Sequence, residues 1–173
     1  IKQLSPDLIV VYGTSLLKGE IIEEFKNKIL NVHLGLSPYY RGSGSNYFPF
    51  VNNEPEYAGV TYMFIDDGID TGNIIHQIRP NINENDSFHE IGTKLILDMA
   101  RVYAQLITSF EKIKIIDKEK MKKENHFYKR DDFTSDTVEK MRNNFKNGII
   151  KKYLKNKFSR DKNVPIIQQD WIK

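Results

Sequence analysis

The sequence contains no cysteine, which excludes disulfide bonds and thiolate metal sites. It also lacks any run of about 18 apolar residues, the length that a membrane-spanning helix requires. Its first residues do not show the basic stretch followed by an apolar stretch that is typical of a secretory signal. We therefore expect an intracellular, cytoplasmic protein that makes no contact with a membrane.

What the sequence does contain is an ordinary mixture of apolar and charged residues. Of its 173 residues, 39% are hydrophobic and 28% are charged, which is enough for one globular domain with a hydrophobic core. The first residue is Ile1 rather than methionine, and residues 1–4 resemble the end of a helix that precedes a strand. We therefore expect that an N-terminal part of the protein is missing.

Charge is distributed unevenly along the chain. Residues 111–173 contain 18 Lys and Arg against 10 Asp and Glu, whereas the whole chain has a net charge of only +3. One interpretation is a basic patch for nucleic acid or another anion. We favour the alternative of solvated helices, because acidic residues are interleaved with the lysines. We divide the chain into a core, residues 1–110, and a small basic helical extension, residues 111–173.

Hydrophobic patterns predict strands that alternate with helices. Short segments rich in β-branched residues predict strands at residues 8–12, 29–33, 58–65, 73–79 and 113–116. Helical spacing of apolar residues predicts helices at residues 19–28, 43–51, 87–110 and 132–145. Ser87 and Glu90 have the spacing of a capping box. A helix between the first two strands favours a parallel pair, so the pattern predicts an open, mostly parallel, twisted α/β sheet.

Two polar residues interrupt the second predicted strand near its carboxyl end. Residues i and i+2 of a strand point to the same face, so Asn31 and His33 share a face while Val32 points away. Open α/β sheets bind ligands beyond the carboxyl ends of their strands. An amide and an imidazole there can donate hydrogen bonds to an oxygen that becomes negative, and the imidazole can transfer a proton. The alternative is a structural histidine beside a strand-terminal asparagine.

A further candidate lies in the loop between the third and fourth predicted strands, which reads D-D-G-I-D-T-G. Within it, Asp70 lies between two glycines. Loops held by a rigid sheet are frequent positions for catalytic groups, and a carboxylate among apolar neighbours can exchange protons near neutral pH. The alternative is that Asp66, Asp67 and Asp70 only form turns, because Asp next to Gly is a common turn signal.

Taken together, these motifs resemble the folate-dependent formyltransferase family. The string N-V-H is followed by S-P-Y-Y-R-G and then, 37 residues after the histidine, by D-T-G. The resemblance covers roughly residues 4–110 and implies a sheet of the Rossmann-like type whose N-terminal strands are missing here. The family transfers formyl groups to glycinamide ribonucleotide, methionyl-tRNA and amino sugars. Gly35 and Ser37 depart from the H-x-S-L-L-P pattern that is frequent in it.

The resemblance implies transfer of a formyl group from N10-formyltetrahydrofolate to a small-molecule amine, without a metal. Asn31, His33 and Asp70 match the catalytic residues of the family. The folate is then expected against the loop after the first strand and against the carboxylate-bearing loop, in contact with Tyr12, Gly13, Ser15, Leu16, Leu17, Ile65, Asp66 and Ile69.

The segment R-G-S-G-S-N-Y-F is closer to the pattern of sugar N-formyltransferases, which implies a nucleotide-linked amino sugar as the acceptor. Arg41, Asn46 and Tyr47 are the candidates for binding it, although helix packing is an alternative role for Asn46 and Tyr47. Nucleic acid is not expected as a partner, and a homo-oligomer is left open. Two other functions also stay open, a formyltetrahydrofolate deformylase, in which water replaces the amine, and an inactive folate-binding module.

Overall fold

A computed structural model of the chain describes residues 1–116, 121 and 126–172. The strands, in chain order, are β1 (Ile9–Val11), β2 (Ile29–His33), β3 (Tyr40–Gly42), β4 (Val60–Phe64), β5 (Ile74–Ile78) and β6 (His126–Tyr128). The helices are α1 (Glu20–Glu24), α2 (Phe48–Val51), α3 (Phe88–Thr108), α4 (Ser135–Lys146), α5 (Ile149–Lys155) and α6 (Lys157–Lys162). No helix among these residues is sufficiently long and apolar to span a membrane.

Four of the strands form the central sheet, in the order β1-β2-β4-β5. β1 and β2 are parallel and are connected through α1, as the sequence predicts. β4 runs antiparallel to β2, and β5 runs antiparallel to β4. The predicted α/β class is confirmed, but the described sheet is mixed rather than mostly parallel. For β5 the reason is that the loop after β4 is too short for the crossover that a parallel neighbour requires.

Three of the differences between the predicted and the observed elements have a clear local cause. α1 is shorter than predicted because Asn27 adopts a left-handed conformation, with φ of 57°. α2 begins only at Phe48 because Pro49 is tolerated in the first turn of a helix and not in its interior. The strand predicted at residues 113–116 is not formed, and the Gln169 side chain instead bonds both the N–H and the C=O of Lys114.

α3 covers one face of the sheet and begins at the predicted capping box. The Ser87 hydroxyl accepts from the backbone N–H of Glu90, and the Glu90 carboxylate accepts from the N–H of Ser87. Its apolar face packs on the sheet in one cluster with Leu30, Val32, Tyr62 and Ile75, and contributes Leu95, Met99, Val102 and Leu106. The Tyr103 hydroxyl lies 2.9 Å from the carbonyl of Val11 and 2.8 Å from that of Leu30, beside the ends of β1 and β2.

The C-terminal residues pack on the same core. Ile149, Ile150 and Tyr153 of α5 join a cluster with Phe50 and Ile91. Beyond α6 the chain runs along β5, where the N–H of Gln77 donates to the carbonyl of Ile167 at 2.7 Å. The segment is therefore fixed to the sheet through its backbone.

His76 of β5 is buried and contacts the C-terminal segment. Its Nδ1 accepts a hydrogen bond from the N–H of Gln169 at 3.0 Å. Burial lowers the pKa of His76 to about 4. Because the acceptor role requires a neutral imidazole, this histidine holds the C-terminal segment in place only when it is unprotonated.

Candidate active site

Asn31, His33 and Asp70 line one cleft of about 640 Å³, although they come from separate stretches of the chain. Asn31 and His33 lie at the carboxyl end of β2, and Asp70 lies in the loop between β4 and β5. The Nδ1 atom of His33 is 3.3 Å from Oδ1 of Asp70. Since the two side chains are only 9% and 15% exposed, the imidazole and the carboxylate interact in a largely desolvated site.

The Asp70 carboxylate is held in place by β3. Its Oδ2 atom accepts a hydrogen bond from the backbone N–H of Gly42 at 2.9 Å. The guanidinium of Arg41 donates to the carbonyl of Ile69 at 3.2 Å, one residue before the aspartate. Asp70 itself has a φ of 54°, a left-handed conformation that aspartate tolerates better than most residues. Two contacts from β3 thus stabilise the backbone turn that presents the carboxylate.

The remainder of this loop is also closely packed. The Thr71 hydroxyl donates to Oδ1 of Asp66 at 2.6 Å, which closes the loop on itself. At Gly72 a Cβ atom would lie 1.7 Å from the carbonyl oxygen of Phe64, so no side chain fits there. The string D-T-G therefore combines the carboxylate that faces His33 with two residues that the loop needs for its shape.

His33 has an oxygen acceptor facing each of its ring nitrogens. Its Nε2 atom lies 3.3 Å from the carbonyl oxygen of Tyr40, and its Nδ1 atom faces Asp70. Burial lowers the pKa of His33, and the two acceptors offset part of this effect because they favour the protonated ring. A buried imidazole between two acceptors is suited to gain a proton during a reaction and then return it.

The departure from the family pattern at Gly35 has a local explanation. A Cβ atom at Gly35 would lie 2.5 Å from Nε2 of His33 and 2.4 Å from the Cβ of Ser45. The side chains of His33 and Ser45 therefore occupy the space that a serine at this position would need. In this protein the placement of His33 depends on a residue without a side chain.

All eight residues predicted to contact the folate line the cleft. They are Tyr12, Gly13, Ser15, Leu16, Leu17, Ile65, Asp66 and Ile69. Among them Leu16 and Ile69 are 51% and 44% exposed, so the cleft presents apolar side chains to its interior. Its volume lies within the roughly 300–1,000 Å³ that small-molecule sites commonly have.

The three predicted acceptor-binding residues are placed differently, and none of them is among the described residues that line the cleft. Arg41 holds the Asp70 loop and lies 5.7 Å from the centre of the Phe127 ring. The Asn46 side chain accepts from the N–H of Gly59 at 2.8 Å. Tyr47 is only 7% exposed and its hydroxyl bonds Thr137, so it belongs to the packing of the core.

Sequence reasoning missed one wall of the cleft, which residues 127–130 form together with Gly42 and Ser43. This wall exists because β6 pairs in parallel with β3, with Tyr40 opposite His126 and Gly42 opposite Tyr128. The only sequence signal is the string H-F-Y-K-R, in which aromatic and basic residues are adjacent. In the described part of the chain, no group of three His, Asp or Glu side chains is placed to hold a metal ion.

Residues 1–107 match the sequence profile of the family described as formyl transferase. The match covers more than half of the chain, and the protein belongs to this family. The predicted family and the fold class derived from it are thereby confirmed.

Two curated relatives of this chain are methionyl-tRNA formyltransferases. That of Finegoldia magna is 34% identical over 125 residues, and that of Desulforamulus reducens is 40% identical over 113 residues. The matches cover 71% and 64% of this chain but only 39% and 35% of the relatives. The chain therefore spans less than half the length of these enzymes.

Two solved structures with similar folds are formyltransferases in complex with nucleotide-linked sugars. The formyltransferase PseJ from Anoxybacillus kamchatkensis was solved with UDP-4,6-dideoxy-4-formamido-L-AltNAc and tetrahydrofolate. It is 31% identical, with a TM-score of 0.60 over 74% of this chain and 67% of that chain. The N-formyltransferase from Helicobacter canadensis, solved with folinic acid and dTDP-3-aminofucose, is 29% identical. Its TM-score is 0.55 over 65% of this chain and 42% of that chain.

Proposed function

We propose that this chain carries the catalytic centre for transfer of a formyl group from N10-formyltetrahydrofolate to an amine. The observation that supports this most directly is the convergence of Asn31, His33 and Asp70 on one cleft, with 3.3 Å between the imidazole of His33 and the carboxylate of Asp70. Membership of the formyl transferase family supports the same reaction. Acyl transfer to nitrogen needs a donor for the developing oxyanion and a group that moves the proton, and an amide, an imidazole and a carboxylate can fill these roles.

The cleft fits the donor in size and in chemistry. Leu16, Leu17, Ile65 and Ile69 form apolar walls for a flat ring, and the backbone groups of residues 13–15 can meet its polar edge. N10-formyltetrahydrofolate, when bound, supplies the formyl group and leaves as tetrahydrofolate.

Asn31 donates to the formyl oxygen as the amine attacks, and His33 stabilises the developing charge through the Nε2–H that it shares with the carbonyl of Tyr40, 3.3 Å away. Both side chains reach the cleft from one face of β2, and His33 is almost fully buried. In such a site a hydrogen bond to a developing charge is worth more than in water, because little solvent competes with it. Removal of one such donor typically costs about 100- to 1,000-fold in rate.

Asp70 receives the proton that the attacking nitrogen loses, directly or through His33. Its Oδ1 faces His33, while Oδ2 is bound by the N–H of Gly42, so the carboxylate keeps a fixed orientation. The pair can then return the proton to the departing nitrogen. The residues of the chain thus cover both charge stabilisation and proton transfer.

For the acceptor, we propose an amine on a nucleotide-linked sugar. The two sugar enzymes described above share this fold, and the match to PseJ covers 67% of that chain. The second candidate is an aminoacyl-tRNA, which the identity of 34% and 40% to methionyl-tRNA formyltransferases favours. The two acceptors share a reactive primary amine and a phosphate-bearing nucleotide.

The experiment that tests this function measures tetrahydrofolate release from N10-formyltetrahydrofolate by absorbance. Amino sugars linked to UDP or dTDP and methionyl-tRNA are supplied in parallel, and products are identified by mass spectrometry. We expect release that depends on an amino sugar. Equal release without any amine would identify a deformylase, and no release with any acceptor would contradict catalysis by this chain.

A further inference from the structure

A second cavity of about 610 Å³ adjoins the cleft through a shared wall. Ser43, Lys129 and Arg130 line both spaces. Gly44, Phe48, Asp131 and Phe133 complete the second cavity. The catalytic residues and the folate-side loops line only the first cavity, so an acceptor that reaches them from the second must pass Lys129 and Arg130, which we call the basic pair.

The basic pair is positioned by the strand that precedes it. β6 ends at Tyr128, and its carbonyl accepts from the N–H of Ser43 at 2.8 Å. Its partner residue in β3 is Gly42, whose N–H holds the Asp70 carboxylate. The basic pair therefore follows directly on a strand that is bonded to the residue holding the proton acceptor.

The charges of the basic pair are available for a ligand. Both side chains are exposed, and neither forms an ion pair with another described residue. The Asp132 carboxylate accepts from the backbone N–H of Lys129 at 2.7 Å. Asp131 lines only the second cavity, so an anion is favoured at the shared wall rather than farther out. A guanidinium beside an ammonium is well suited to bind phosphate oxygens.

Phe133 adds an aromatic surface to the second cavity. It is 56% exposed, and its ring centre lies 4.8 Å from that of Tyr47, which supports it from the core. A supported aromatic ring that stays exposed within a cavity is suited to stack on a planar ring of a ligand. The cavity thus offers cations at its inner end and an aromatic face farther out.

We propose that Lys129, Arg130 and Phe133 form the binding site for a nucleoside diphosphate, the part of the acceptor that carries the amino sugar. The basic pair binds the diphosphate, and Phe133 stacks against the base. The inference rests on the proposed function, because it places the amine of the same molecule toward His33 and Asp70. It names residues for acceptor recognition that differ from Arg41, Asn46 and Tyr47.

The site is tested by calorimetric binding of UDP and of inorganic pyrophosphate to the whole chain. We expect Arg130→Ala to weaken UDP binding by about tenfold, the effect of losing one charge-assisted phosphate contact, and Lys129→Ala to weaken it in the same direction. Phe133→Ala should weaken binding of UDP but leave that of pyrophosphate unchanged. Arg142→Ala is the matched control, because this arginine is exposed on α4 and lines neither cavity.

Tetrahydrofolate binding, measured in the same samples, separates this site from the proposed reaction. The proposed site is wrong if Arg130→Ala binds UDP as tightly as the control Arg142→Ala and the unchanged protein do. Tetrahydrofolate binding that is retained in that case still supports the folate-side function. If an acceptor-stem RNA binds where UDP does not, the nucleoside diphosphate is the wrong ligand class. If the variants change UDP binding as expected but the protein does not bind tetrahydrofolate, the nucleoside diphosphate site is supported. In that case only the proposed formyl transfer is contradicted.

Discussion

The cleft has two walls that differ in burial and in hydrogen bonding. The inner wall carries Asn31, His33 and Asp70, and its imidazole and carboxylate are 9% and 15% exposed and bonded to neighbouring backbone. The outer wall is formed by residues 127–130, of which Phe127 is 43% exposed and the basic pair extends into solvent. Groups that react tolerate little displacement from their productive geometry. Under the proposed function, the buried wall holds the reacting groups and the exposed wall contacts the acceptor.

The largest effect is expected from removal of the inner-wall groups. His33→Ala and Asp70→Asn should each slow formyl transfer by at least about 100-fold, the usual scale for a catalytic acid or base. Steady-state kcat with the preferred acceptor is the measurement, and circular dichroism checks the fold. His89→Ala is the matched control, because His89 is exposed on α3 and does not line the cleft. A rate within a few-fold of the unchanged protein would remove either residue from the mechanism.

A smaller effect is expected from crowding the inner wall. Gly35→Ala should displace His33, because the added Cβ would lie 2.5 Å from Nε2. We expect kcat to fall by about tenfold or more and stability to fall by about 1–3 kcal/mol, the usual cost of overpacking. Urea unfolding and kcat are measured together. Gly92→Ala in α3 is the control, because in the described part of the chain no heavy atom outside its own helix backbone and chain neighbours lies within 4 Å of the added Cβ, and it should raise stability by roughly 0.5–1 kcal/mol.

Loosening the Asp70 loop is expected to have a more moderate effect. Arg41→Ala removes the hydrogen bond to the carbonyl of Ile69 but leaves that from Gly42 to the carboxylate. We expect kcat to fall by about tenfold, corresponding to roughly 1.4 kcal/mol, with little change in the KM of the acceptor. Arg101→Ala, at an arginine that is 69% exposed, is the control. A rise in KM at constant kcat would instead support the acceptor-binding role predicted from the sequence.

The smallest effect on catalysis is expected from a buried group outside both walls. The pKa of His76 is lowered from 6.5 to about 4, so unfolding favours its protonation. Its contribution to stability is complete above pH 6.5 and is lost as the pH falls toward 4, by at most about 1.4 kcal/mol per pH unit. His76→Gln, which retains an acceptor for Gln169 but does not titrate, should show a weaker pH dependence in urea unfolding while kcat at pH 7 is unchanged.

The pKa of His33 is also lowered, so His33 reduces the stability of the unchanged protein and of His76→Gln in the same way as the pH falls. The difference between the two unfolding curves therefore reports His76 alone. Equal slopes between pH 7 and pH 5 would show that protonation of His76 does not release the C-terminal segment.

The inner wall could be predicted from the sequence because local rules determine it. Strand periodicity places Asn31 and His33 on one face of β2, and the structure has both of them in the cleft. The turn residues around Asp70 predict a loop, and the capping box at Ser87 is observed. Each of these features depends on residues that are close in the sequence.

The outer wall could not be predicted because it depends on a long-range pairing of two strands of three residues. Neither β3 nor β6 is long enough for a periodic pattern, and they come from distant parts of the chain. Tyr47 shows that a clear local pattern can also be insufficient. Its helical spacing fits a residue that packs in the core as well as one that lines a cleft, and the structure buries it. The direction of β4 also depends on its connection, which the pattern of apolar residues does not encode.

Gly42 links the two walls within a single residue. Its N–H orients the Asp70 carboxylate, and a Cβ atom on it would lie 2.2 Å from the carbonyl oxygen of Tyr128, so the two backbones are in direct contact. A ligand that displaces β6 is therefore expected to displace the N–H that binds the Asp70 carboxylate. Truncated acceptors without phosphates are accordingly expected to lose turnover as well as affinity, because binding energy at a distance is converted into alignment at the reacting atoms.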